Sequence, residues 1–172
     1  NNPIKEVVVN HIKKYIAKKS CKSANHIIAV SNFVKNSILN NFNINSNKIT
    51  VNYHGGSVRE KTINLIKPKS INTIDLKQFL FTAGSIRPAR GLEDLIKALG
   101  AITNEYSIIP HLLIAGECSS NMKKYKKSLK KLIRNYNLEE KVVWLGKINK
   151  REMGWCYLYS SATVLTSRVE SF

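Results

Sequence analysis

Acidic residues are scarce in this 172-residue chain. Eleven Asp and Glu stand against 28 Lys and Arg, a formal net charge of +17. Asp75 and Asp94 are the only aspartates, and no Asp-x-Asp pair occurs. Hard cations such as Mg²⁺ want carboxylate oxygens, so a metal-held ligand is not expected in this segment. Cysteine is equally sparse. Cys21, Cys118 and Cys156 are odd in number and far apart, which leaves no C-x-x-C metal spacing. They read as small buried side chains in a reducing, cytoplasmic setting. No apolar run approaches the length of a membrane-spanning helix, and no signal peptide is visible. Gly-x-Ser-x-Gly is absent, and His11, His26, His54 and His111 are scattered, so no nucleophile arrangement is indicated. An initiator Met is missing too, and the chain stops just past an apolar run. We therefore expect an internal fragment of a longer protein.

What is present is globular in character, with 43% hydrophobic residues. The positive excess leaves several readings open: nucleic acid, an anionic membrane surface, a phosphorylated substrate, or drift toward Lys in a chain also rich in Asn and Ile. Aromatics make up only 8% and form no RNA-stacking motif, so nucleic acid is not expected.

Along the chain, Ile4, Val7, Val8, Ile12, Tyr15 and Ile16 suggest an amphipathic helix over 4–19. Residues 27–30 form a short apolar strand, and Ser31 is placed to cap a following helix. Residues 49–53 read as another strand, ended by Gly55-Gly56. Residues 57–77 are polar with little periodicity and read as a linker or crossover. Regular alternation follows: strands at 78–83, 111–115, 142–145 and 162–166, with helices at 91–104, 120–136 and 151–159. Strands separated by helices imply βαβ units, a parallel sheet and helices on both faces. The helix at 120–136 carries an apolar stripe and a lysine-rich remainder. A solvated outer face is the preferred reading, an anionic membrane contact the alternative.

The most informative stretch is Gly84-Ser85-Ile86-Arg87-Pro88-Ala89-Arg90-Gly91, between an apolar strand and a helix start. Gly84 and Gly91 let backbone come close, and a helix N-terminus offers N–H groups and a positive dipole end. Arg87 and Arg90 add forked cationic donors suited to phosphate oxygens. The loop thus reads as a diphosphate site, with both arginines in place of a metal. In parallel sheets ligands sit beyond the C-terminal strand ends, so loops at 84–91, 116–119, 146–149 and 167–172 should line one crevice. Gly116 permits close approach at a strand end, with Glu117 beside it. Glu170, past the last strand, is a carboxylate placed to accept hydrogen bonds from sugar hydroxyls.

Taken in order, these segments resemble the GT-B fold glycosyltransferases, in particular family 4 (group 1). Asn25 to Asn32 is similar to the family's ADHIIAVS strand and turn. Lys48 to Gly56 is similar to its KI-x-VI-x-NGV segment, and Gly84 to Gly91 to its GR-x-x-P-x-KG loop. His111 to Glu117 resembles LLIAGDG, Val142 to Gly146 resembles V-x-FLG, and Ser167 to Phe172 resembles PS-x-x-EGFG. The resemblance implies a Rossmann-like domain pair: the end of an acceptor-side domain at 1–56, a linker at 57–77, and a truncated nucleotide-sugar domain at 78–172. It implies retaining transfer of a sugar from a nucleotide-diphosphate donor to a glycan or lipid-linked acceptor, with no cofactor and no obligatory metal. By position, Arg90 stands where the family has its phosphate-binding Lys. Glu170 matches the first Glu of the E-x7-E pair, and Lys147 and Ile148 fall where the nucleobase is met. Gly84, Ser85, Gly91, Gly116, Glu117, Ser171 and Phe172 complete the implied donor site. Ser85, Cys118 and Ser171 depart from the family pattern, which keeps open a non-catalytic nucleotide-binding or polyanion-binding module. The cysteine usage favours the cytoplasm, and the net charge leaves peripheral contact at the inner membrane face as an open alternative. The fragment alone is expected to be inactive.

Overall fold

The structure is a computed structural model of the whole chain. It describes residues 3–55, 64–72, 74, 76, 78–103, 105–106 and 109–168, with side chains from residue 7 onward. The chain divides into two compact units, one within residues 1–59 and the other within 60–169.

In the first unit, helix α1 spans Pro3–Ser23, strand β1 Ile27–Ala29, helix α2 Asn32–Phe42 and strand β2 Ile49–Val51. The two strands pair in parallel, Ile27 opposite Ile49 and Ala29 opposite Val51. Ser31 caps α2 as expected, its hydroxyl accepting from the Val34 N–H at 3.2 Å. Ala29 and Ile49 are buried. The apolar stripe read on α1 is not an inner face: Val7, Val8, Ile12, Tyr15 and Ile16 are all exposed.

The second unit contains β3 (Phe79–Ala83), α3 (Leu92–Ile102), β4 (His111–Ala115), α4 (Lys123–Asn135), β5 (Val142–Gly146), α5 (Lys150–Tyr159) and β6 (Ala162–Thr163). The four strands form one all-parallel sheet in the order β5-β4-β3-β6. Alternation along the strands feeds two cores. Leu112 and Ile114 join Leu95, Ile96 and Leu99 of α3 and Leu129 and Ile133 of α4 on one face. Phe79, Phe81, Leu113 and Ala115 meet Cys156 of α5 on the other. Helices therefore cover both faces, as the alternation implied. Each fully buried Leu, Ile or Phe here stabilises the fold by about 1.5–3 kcal/mol.

Two stretches differ from expectation. Pro68 and Ile71, read as part of a polar crossover, are fully buried, Ile71 against Phe79 and Phe81. Strand β6 is shorter than the 162–166 read from its apolar pattern. Its ladder runs only through Leu80–Ala162 and Phe81–Thr163, with one more bond from the Val164 N–H to the Phe81 carbonyl at 2.8 Å. The chain then turns out of the sheet to meet the 88–91 turn, whose carbonyls take over as partners.

Candidate functional site at the C-terminal strand ends

The strand order decides where a ligand fits. From β3 the chain proceeds to β4 and β5 on one side, while β6 returns to the other side of β3. β3 is thus the strand at which the order reverses, and parallel α/β sheets place their ligands beyond the C-terminal strand ends at such a point.

The β3 loop is shaped by its glycines. Gly84 continues the ladder, donating to the Ala115 carbonyl at 2.9 Å, and has φ +150°. The Arg90 side chain lies directly over it: a Cβ on Gly84 would sit 3.0 Å from Arg90 Nε. Pro88–Arg90 make one 3-10 turn, and Gly91 closes it in the left-handed region at φ +60°. Gly91 also begins α3, its carbonyl accepting from the Asp94 N–H at 3.0 Å. No Cβ fits there, because it would lie 2.2 Å from the Thr166 carbonyl oxygen.

The 166–168 segment is fastened to this turn by several bonds. Thr166 Oγ1 donates to the Arg90 carbonyl at 2.9 Å, and the Arg168 N–H donates to the Ala89 carbonyl at 3.0 Å. Arg90 Nη1 donates to Ser167 Oγ at 3.0 Å. Arg168 donates to the Pro88 carbonyl at 3.1 Å, to Glu93 at 2.8 Å and to Asp94 at 2.9 Å. It thereby neutralises the two carboxylates in the first turn of α3. Those two partners, Asp94 first and then Glu93, push the Arg168 guanidinium further up.

Glu93 has a third partner, the Tyr125 hydroxyl of α4. Burial pushes the Glu93 carboxyl up. Hydrogen bonds from Tyr125, from its own backbone and from Arg168 outweigh that and hold it below its ordinary value. Burial, then the Glu93 hydrogen bond and charge, push the Tyr125 hydroxyl well up. One backbone N–H at the start of α3 is thus engaged by a carboxylate of the protein itself, which narrows the free anion site expected from the sequence.

Two cavities result. A narrow one of about 10 Å³, room for roughly one water, is lined by Gly84, Ser85, Arg90 and the 165–167 segment. A wide, open crevice of about 750 Å³ is lined by Ser85, Arg87, Gly116, Glu117, Cys118 and Lys147 among others. The two arginines therefore line neighbouring cavities that share Ser85. Arg87 is exposed, whereas Arg90 is half-buried. Lys147 and Glu117 form an exposed ion pair at 3.5 Å across the wide crevice, of small energetic weight. The Ile148 side chain packs into the core that contains Phe81 and Cys156. Gly91 is buried beneath Thr166. Glu170, Ser171 and Phe172 lie outside the described residues. Among the described residues, no three His, Cys, Asp or Glu side chains cluster as a metal site, and no helix is long and apolar enough to cross a membrane.

The 167–172 loop was expected to line the crevice, but the bonds by which Thr166, Ser167 and Arg168 fasten that stretch to the 88–91 turn and the start of α3 were not legible. Arg168 bonds across 74 to 80 residues of sequence, and no local pattern signals such pairs.

Comparison with known proteins bears on the family and the fold. The chain is 25% identical over 159 residues to the O-antigen chain mannosyltransferase RfbU of Salmonella typhimurium, covering 92% of this chain and 40% of that protein. It is 30% identical over 170 residues to an uncharacterised glycosyltransferase of Methanocaldococcus jannaschii, covering 94% of this chain and 40% of the relative. The chain thus spans about two fifths of the length of these relatives. Among solved structures, Anabaena HepE in complex with UDP and glucose superposes with a TM-score of 0.73 at 18% identity, over 92% of this chain and 43% of that one. The fold is accordingly the GT-B type expected from the sequence. The family described as glycosyl transferases group 1 matches residues 63–172, well over half of the sequence, and the chain belongs to it.

Proposed function

We propose that the second unit holds the diphosphate of a nucleotide-sugar, and that the whole protein transfers that sugar, with retention, to a hydroxyl of a glycan or lipid-linked acceptor. The observation that carries this reading is the Arg90 guanidinium laid over Gly84 at the C-terminal end of β3, beside the segment that follows β6. A forked cation there meets phosphate oxygens bidentately, and its positive charge offsets the negative charge that grows on the leaving diphosphate. Because Ser167 holds Arg90, the cation is oriented before the donor arrives.

Arg87 and the start of α3 supplement this charge, so the diphosphate needs no metal. The wide crevice, at about 750 Å³, is of the size that ligand sites use and accommodates the nucleoside end near Lys147 and the Ile148 backbone. Glu170 orients sugar hydroxyls. The occurrence of UDP and glucose on Anabaena HepE, a protein of the same fold, supports the choice of donor class.

Calorimetry of the chain with UDP, GDP and single-stranded RNA at two salt concentrations tests the proposal. Nucleoside diphosphate binding that falls about 10- to 100-fold in Arg90→Ala is the expected result, as for loss of one charge-assisted contact. RNA binding with a steep salt slope and no nucleoside diphosphate affinity would refute it.

A further inference from the structure

Helix α4 carries seven cations in thirteen residues, Lys123, Lys124, Lys126, Lys127, Lys130, Lys131 and Arg134, and no acid. At 100° per residue these seven fill one uninterrupted arc of roughly 160°. No other residue type falls within it. The opposite side, with Leu129 and Ile133, is buried against the sheet. Six of the seven cations are exposed, and the half-buried Lys126 lies 5.0 Å over the Trp144 ring. Among the described residues none of the seven forms an ion pair.

This pattern is more than an ordinary solvated face. Lys123 and Lys127, Lys126 and Lys130, Lys127 and Lys131, and Lys130 and Arg134 are like-charge neighbours at i,i+4. Each pair destabilises the helix, and no interleaved carboxylate offsets the repulsion. A dense anionic surface would.

We infer that the outer face of α4 is an adsorption surface for an anionic lipid bilayer. The arc reads charge and nothing else. The arc carries no aromatic residue of its own, the Trp144 ring that borders it is half-buried and covered by Lys126, and the polar Ser128 and Asn135 sit outside it, so it offers little of the stacking by which polynucleotide sites add grip to charge. The apolar stripe is already committed to the core, so the helix adsorbs by Coulombic attraction without inserting. Lys126 also lines the wide crevice that Arg87 borders, whereas Lys127, Lys130 and Lys131 do not, so a change at those three tests adsorption whether or not the nucleotide-sugar reading holds.

The test is flotation of the chain with phosphatidylglycerol-containing vesicles against phosphatidylcholine vesicles, at low and high salt, with single-stranded RNA as a competitor. The chain binds only the anionic vesicles and is released by salt. Lys127→Gln, Lys130→Gln and Lys131→Gln combined lower partitioning by about 100-fold, from the usual contribution of a cation near an anionic leaflet. The same three positions changed to Arg retain it. The Gln variant keeps or raises the unfolding midpoint, because repulsion is relieved and Gln propagates helix about as well as Lys. Loss of binding therefore cannot be mistaken for loss of fold. A control with equal charge loss on α1, at the exposed Lys13, Lys14 and Lys18, binds nearly as the parent does. The proposal is overturned if the parent ignores anionic vesicles, if the α4 Gln variant binds unchanged, if the α1 control loses as much, or if RNA strips the chain from the lipid.

Discussion

Replacing Gly91 with Ala separates two costs that usually arrive together, when it is set beside the same change at Gly146. Both glycines are left-handed, at φ +60° and +68°. An L-residue in that region costs about 1–2 kcal/mol, and the restriction of the unfolded chain by Ala is the same for both. Their surroundings differ. A Cβ at Gly146 meets nothing within 4 Å, whereas one at Gly91 lies 2.2 Å from the Thr166 carbonyl oxygen. That oxygen is backbone, so the 165–168 segment itself must move, and overpacking of this kind costs another ~1–3 kcal/mol. Moving it also loosens the bonds from Thr166 and Arg168 to the 88–91 turn. Gly91→Ala should therefore destabilise the chain by about 2–5 kcal/mol and Gly146→Ala by about 1–2 kcal/mol. Urea unfolding followed by far-UV circular dichroism measures both, with unchanged m-values as the check that only stability moved. Equal losses in the two variants would refute the close approach of the turn to Thr166, and with it the geometry that orients Arg90.

Other outcomes are accessible with the same chain. Glu93 is held below its ordinary carboxyl value of 4.5 in the fold, so it contributes stability above the unfolded value that is lost as pH falls through the folded one. Tyr125→Phe removes one of its donors, should cost about 1 kcal/mol at neutral pH, and should flatten the fall in stability below pH ~4.5; an unchanged pH profile would contradict the Tyr125–Glu93 bond. Cys156 is fully buried, and burial followed by the Glu152 charge pushes its thiol up to about 11. It should resist alkylation at mildly alkaline pH while the half-buried Cys21 and Cys118 react, with peptide mass spectrometry as the readout.

Much of the second unit was legible because its signals are local. Phe79, Phe81, Leu112 and Ile114 alternate between apolar faces, and Leu92, Leu95, Ile96 and Leu99 repeat at helical spacing, so each element announces its own period. The capping of α2 by Ser31 needs only three residues. Elsewhere local reading failed for a definite cause. Pro68 and Ile71 sit in a polar stretch with no period, yet the underside of the sheet has room for them. The apolar run at 162–166 promised a longer strand. Thr166 and Arg168 found carbonyl partners in the 88–91 turn that compete with the ladder. The valines and isoleucines of α1 resemble an inner face and are exposed, because apolar spacing records what a helix offers and not what covers it.

Chain order and side-chain period were enough to dictate parallel strands, helices between them, and a cation-bearing loop at a strand end. They could not say that β6 returns beside β3, nor that Arg87 and Arg90 would open onto different cavities. Nor could they say that Arg168 would neutralise two carboxylates more than seventy positions earlier. Periodicity is encoded by neighbours a few residues apart. Which strand lies beside which, and which charges meet, is settled only when distant segments compete for the same backbone partners in the packed fold.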